Sequence, residues 1–103
     1  MRVQLLTFHG CPNGAAAREV LRRVLKSYGI RAPIEEVNTT APETPEHLKV
    51  WGSPTILING ADIEGQGAPS SASCRLYRDE AGRLRGVPPE ATILGAITRN
   101  GTG

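Results

Sequence analysis

Val3 to Phe8 form a nearly continuous apolar run that stops at Gly10-Cys11-Pro12. In an extended chain Val3, Leu5 and Thr7 fall on one face, and Gln4, Leu6 and Phe8 on the other. Apolar groups on both faces predict an interior strand covered from both sides, as in α/β sheets. The period then changes. Val20, Leu21, Val24, Leu25 and Tyr28 recur at helical spacing, while Arg18, Glu19, Arg22, Arg23 and Lys26 fill the opposite side. Gly29 stands where a helix C-terminus takes a left-handed residue, so this helix is predicted to end near Tyr28. Pro33 to Val37 alternates poorly and reads as a weaker strand towards a sheet edge. Thr44-Pro45-Glu46 reads as a helix start with Thr44 as N-cap; the short helix carries Leu48 and Trp51 and stops at Gly52. Pro54 to Ile58 is a second apolar strand, and Asn59-Gly60 is the preferred pair for a two-residue hairpin returning through Ala61 to Ile63.

The remainder is less regular. Gly65 to Ser73 reads as a loop, Cys74 to Arg78 as extended, Asp79 to Gly82 as a turn, and Arg83 to Arg85 as a segment pairing back. Val87-Pro88-Pro89-Glu90 opens a last helix whose buried stripe is Ile93, Leu94 and Ile97. Strand, helix, strand, helix and hairpin, closed by a final helix, predict an α/β fold. Its four-stranded mixed central sheet is flanked by helices, with a loop and hairpin inserted before the last one.

A chain of 103 residues is expected to form one domain, residues 1–103. With 39% hydrophobic and 21% charged residues it has the composition of an ordered globular chain. A net charge of +2 and sparse aromatics give no reason to expect a nucleic-acid partner. The first apolar stretch is too short for a signal peptide or a membrane span, so no membrane association is expected. Two cysteines are too few for a secreted disulfide scaffold, which favours a reducing, cytoplasmic location. Cys11, Cys74, His9 and His47 contain no C-x2-C element, so neither a metal site nor another cofactor is expected.

The most informative segment is His9-Gly10-Cys11-Pro12-Asn13-Gly14. A cysteine between a buried strand and a helix places its sulfur near backbone N–H groups that lack partners, and these favour thiolate over thiol. Pro12 fits the first helical turn because its missing N–H is not needed there. The bland alternative is a cysteine acting as a small buried hydrophobe. The second informative segment is Gly52-Ser53-Pro54-Thr55, since a proline heading an apolar strand is tolerated only at its first position.

These two segments, in this order, resemble the thioredoxin-like superfamily. Its members carry a helix-initial cysteine after the first central strand and a cis-proline opening a later strand beside it. Pro54 to Gly65 is similar to the glutaredoxin hairpin. More narrowly, Gly10-Cys11-Pro12-Asn13, with Ser73-Cys74-Arg75-Leu76-Tyr77 and Gly86-Val87-Pro88, resembles small bacterial thioredoxin-like proteins, some of them labelled alkylmercury lyase. The resemblance implies thiol–disulfide exchange through Cys11, with Ser53, Pro54, Thr55 and Pro12 binding the substrate, a disulfide-containing protein or a low-molecular-weight thiol. Gly14 stands where dithiol members have their second cysteine. Cys11 then acts with an external thiol, is resolved by Cys74, or does not turn over. Without turnover the chain is a binding module for a partner, a thiol cofactor or a soft metal ion. Organomercurial cleavage would need a proton donor beside two thiolates, for which His9 is the candidate. Arg75, Arg78, Arg83 and Arg85 read as a solvated hairpin face, able to receive the carboxylates of an anionic thiol. Thr44 and Asp62 read only as a cap and a hairpin residue.

Overall fold

The computed structural model describes residues 1–65 and 75–100. Its elements run β1 (Val3–Thr7), α1 (Gly14–Ser27), β2 (Ile34–Asn38), α2 (Glu46–Lys49), β3 (Thr55–Ile58), β4 (Ala61–Asp62), β5 (Tyr77–Arg78), β6 (Leu84–Arg85) and α3 (Glu90–Asn100). Four strands form one mixed sheet in the order β2-β1-β3-β4, and β5 pairs with β6 in a separate ribbon. β1 runs parallel to β2, as the helical connection through α1 permits, and antiparallel to β3. The mixed four-stranded sheet with its helices is the architecture that the element order predicts.

The double-sided apolar pattern of the two inner strands explains the layering. Val3 and Leu5 of β1 join Ile56 and Ile58 of β3 against Leu21 of α1 and Ile93 of α3. Leu6 and Leu57 point the other way, onto Leu48 and Trp51. Each fully buried aliphatic side chain contributes about 1.5–3 kcal/mol, so both faces of these strands hold the helices in place. β2, which shares a ladder only with β1, is the outer strand expected from its weak alternation.

Helix and hairpin ends follow local chemistry. At the end of α1, Ile30 N–H donates to Leu25 C=O (2.9 Å) and Gly29 N–H to Lys26 C=O (3.2 Å), a Schellman cap with Gly29 at φ 66°. Asn59 (φ 51°) and Gly60 (φ 84°) are both left-handed, as the tight β3–β4 turn requires.

Three expectations are corrected. α1 begins at Gly14 rather than around Pro12, because the chain makes two tight turns first: Cys11 N–H donates to Phe8 C=O (3.2 Å) and Gly14 N–H to Cys11 C=O (3.3 Å). Thr44 does not cap α2. Its hydroxyl donates to Asn38 C=O (2.5 Å), tying the helix approach to the end of β2, and the N-cap position falls to Pro45. The buried stripe of α3 is Ile93, Ala96 and Ile97, with Leu94 only half-buried. All but the first residue of the loop expected over Gly65 to Ser73, and Cys74 with it, lie outside the described residues. No helix among the described residues is long and apolar enough to cross a membrane.

Candidate functional site

β1 ends at Thr7, and the next four residues carry the chain to Cys11. Gly10, at φ 77°, supplies the left-handed step that turns the backbone there. Cys11 is partly exposed, Pro12 exposed and Asn13 partly exposed, so Cys11 sits in a surface turn and is absent from the buried apolar clusters. It lies three positions before the first helical residue, beyond the helix tip assigned to it from sequence.

Phe8 joins this turn to the Ser53-Pro54-Thr55 segment. Its C=O accepts from Cys11 N–H, and its N–H donates to Ser53 Oγ (3.2 Å). The antiparallel register of β1 and β3 sets Leu6 opposite Thr55, which brings the start of β3 to the end of β1. The Ser53–Pro54 peptide bond is cis. Ser53, Pro54 and Thr55 are all buried, whereas Pro12 is exposed and Cys11 partly exposed; Cys74, also expected in this set, lies outside the described residues.

The buried segment is held by a polar network that sequence reasoning missed. Arg75 N–H donates to Ser53 C=O (2.8 Å), and Tyr77 OH donates to Pro54 C=O (2.6 Å). Thr55 Oγ1 donates to Gly52 C=O (2.6 Å) and accepts from Arg75 Nη1 (3.2 Å). The Arg75 guanidinium forks onto Asp62, with Nη1 2.6 Å from Oδ1 and Nη2 2.7 Å from Oδ2, and Nη2 also reaches Glu64 Oε1 at 3.1 Å. It stacks 4.8 Å from the centroid of the Tyr77 ring. Burial works against the charge of Arg75, but the bond and charge of Asp62 hold its pKa well above the ordinary value. Burial likewise pushes the Tyr77 phenol well above its usual range, although the Arg75 cation opposes the shift.

Two readings change accordingly. Arg75 is not part of a solvated arginine face: its side chain is 11% exposed and committed inside the protein. Asp62 is not merely a hairpin residue, since its carboxylate is fully buried in the pair with Arg75. The available signal was a carboxylate set between apolar Ile58 and Ile63, because a buried charge demands a partner. The other hairpin arginines behave as expected at a surface. Arg85 pairs with Asp79 (2.7 Å), Arg78 donates to Gly82 C=O (2.9 Å), and Arg83 is exposed.

Asn13 and Gly86 make a second close approach. A Cβ on Gly86 would collide with the Asn13 side chain, so the segment after β6 packs tightly on the turn bearing Cys11. Gly14 is buried under the same turn. A Cβ there would stand 4.0 Å from Cys11 Cβ and 3.4 Å from Thr7 Cγ2. His9 is exposed and donates its backbone N–H to Thr40 Oγ1 (3.2 Å); His47 is exposed on α2. Among the described residues no three His, Cys, Asp or Glu side chains gather as a set of metal ligands.

A family model described as thioredoxin domain matches residues 1–75, which include β1 to β4, the Cys11 turn and the Ser53-Pro54 segment. No curated protein and no solved structure matches the chain significantly.

Proposed function

The chain belongs to the thioredoxin domain family, and from that premise we propose that it carries out thiol–disulfide exchange through Cys11. The Cys11 thiolate attacks one sulfur of a substrate disulfide, forming a mixed disulfide and releasing the other sulfur as a thiolate. A second thiolate then attacks the Cys11 sulfur and expels the substrate as a free thiol. The substrate disulfide gains two electrons, and the two attacking thiols end as a disulfide. The second thiol comes from Cys74 or from a low-molecular-weight thiol. The partner in the first step is a disulfide-containing protein or such a thiol in its oxidised form.

One observation carries this reading. Phe8 is bonded at once to the Cys11 turn and to Ser53, so a partly exposed cysteine and a buried, hydrogen-bonded wall meet at the same end of the sheet. In this account Cys11 and Pro12 meet the incoming disulfide, and Ser53, Pro54 and Thr55 fix where it can lie. Cys74 is bonded directly to Arg75, whose N–H is tied to Ser53 C=O, and this supports its role as the resolving residue.

Gly14 favours a second reading, in which the domain captures a thiol partner without turnover. Reduction of insulin disulfides by a thiol donor separates the two. Exchange requires activity in the wild type and its loss in Cys11→Ser; slower turnover in Cys74→Ser assigns the second step to Cys74, and unchanged turnover assigns it to the external thiol. Wild-type protein that binds thiols but reduces no insulin belongs to the binding reading.

A further inference from the structure

We infer that the outer edge of β2 and the adjoining face of α1 form a groove for an extended acidic segment of a partner protein, which adds to the sheet as a further strand. A concavity of about 920 Å³ lies between α1, the connection after it, and β2. No residue lining it belongs to the Cys11 turn or to the Ser53 segment, so the inference stands apart from the thiol chemistry.

The lining has two parts. Leu25, Ile30, Ala32 and Ile34 provide an apolar floor that continues the main core. Arg18, Arg22 and Lys26 stand at four-residue intervals on α1 and form one basic row along it, with Arg23 beside them and Arg31 across the groove. Five cations therefore face two carboxylates, Glu19 and Glu36. Glu36 is paired with Arg18 and Glu19 with Arg22, whereas Lys26 and Arg31 have no carboxylate partner among the described residues.

The strand edge supplies the rest. β2 has a ladder partner on one side only, so its other side presents backbone donors and acceptors to an incoming chain. Five residues of strand match the length of a short extended peptide. In strand addition, backbone hydrogen bonds hold the peptide while alternate side chains enter the groove. Here the side chains that point to the α1 side meet the basic row, as Glu36 of β2 meets Arg18, and the alternate ones lie on the opposite face of the sheet, where Val37 of β2 packs. That pattern fits apolar residues alternating with Asp or Glu.

The test uses the full chain and a fluorescein-labelled nonapeptide of alternating valine and glutamate, followed by fluorescence anisotropy and by amide chemical shifts. Saturable binding is expected, with shift changes concentrated in β2 and along α1. Reversing the rim with Lys26→Glu and Arg31→Glu, both exposed positions, should weaken it roughly tenfold or more while circular dichroism stays unchanged. N-methylating alternate peptide amides along one edge should abolish it, because charge and side chains remain but the ladder cannot form. Absence of binding, binding indifferent to N-methylation, equal affinity for a lysine-containing counterpart, or equal affinity for an oligonucleotide of the same charge would each overturn the inference.

Discussion

Gly14 defines how this site differs from a dithiol site. Its Cβ position lies 4.0 Å from Cys11 Cβ, within the roughly 3.5–4.5 Å that a disulfide spans. Gly14→Cys should therefore close a disulfide with Cys11 under mild oxidation, read as the loss of two hydrogens by intact mass and of both thiols to alkylation in a Cys74→Ser background. The neighbouring contact with Thr7 Cγ2, at 3.4 Å, leaves room for the added atom. The Asp62–Arg75 pair makes a second residue-scale prediction. Removing one member of a buried pair strands the other's charge, so Asp62→Ala should cost about 3–5 kcal/mol in urea unfolding. Replacing both with apolar residues, as Asp62→Leu with Arg75→Met, should recover part of that loss. Neither partner was legible from the sequence as half of a pair. Asp62 and Arg75 are thirteen residues apart, and only the folded hairpin and the return of the chain bring them together.

At the scale of elements, the legible features were those with a local cause. β1 and β3 announced themselves by apolar residues on both faces, and the β3–β4 turn by Asn59-Gly60. Asn59 also uses its side chain twice, accepting from Arg2 N–H (2.7 Å) and donating to Asn100 C=O (2.6 Å). Asn59→Ala loses both bonds and places alanine in a left-handed turn, so it should destabilise the protein by about 1–2 kcal/mol in the same unfolding assay. The less legible features were those set by contacts distant in sequence. Thr44 has the chemistry of an N-cap, yet the C=O of Asn38 offers its hydroxyl a partner from another element. Helix α1 starts late for a local reason instead: the Cys11 and Gly14 N–H groups are satisfied by turns from Phe8 and Cys11, three residues back in each case, before helical bonding begins. The candidate thiol was legible as a residue between strand and helix. The buried wall behind it was not, because it depends on residues 75–77 crossing the Ser53 segment.

Across the whole molecule, the core and the candidate site share one anchor, since Tyr77 is fully buried in the main apolar cluster and bonded to Pro54 C=O. Its phenol pKa is raised on folding, so the folded state holds that proton more tightly than the unfolded state. The associated stability is complete below the unfolded value, near pH 10, and is lost as pH rises towards the folded one. The phenolate absorbance of Tyr77, isolated as the difference from Tyr77→Phe, should therefore appear only together with alkaline loss of the circular dichroism signal. The proposed exchange comes down to a single bond, formed between Cys11 and an incoming sulfur in the native protein. It is tested most directly by mixing native Cys74→Ser protein with a protein disulfide, quenching with acid, and mapping any covalent adduct by mass spectrometry. A mixed disulfide on Cys11 is expected, forming at neutral pH in the folded state and released by added thiol. An adduct that is absent, or that forms only after denaturation, would contradict the proposed exchange.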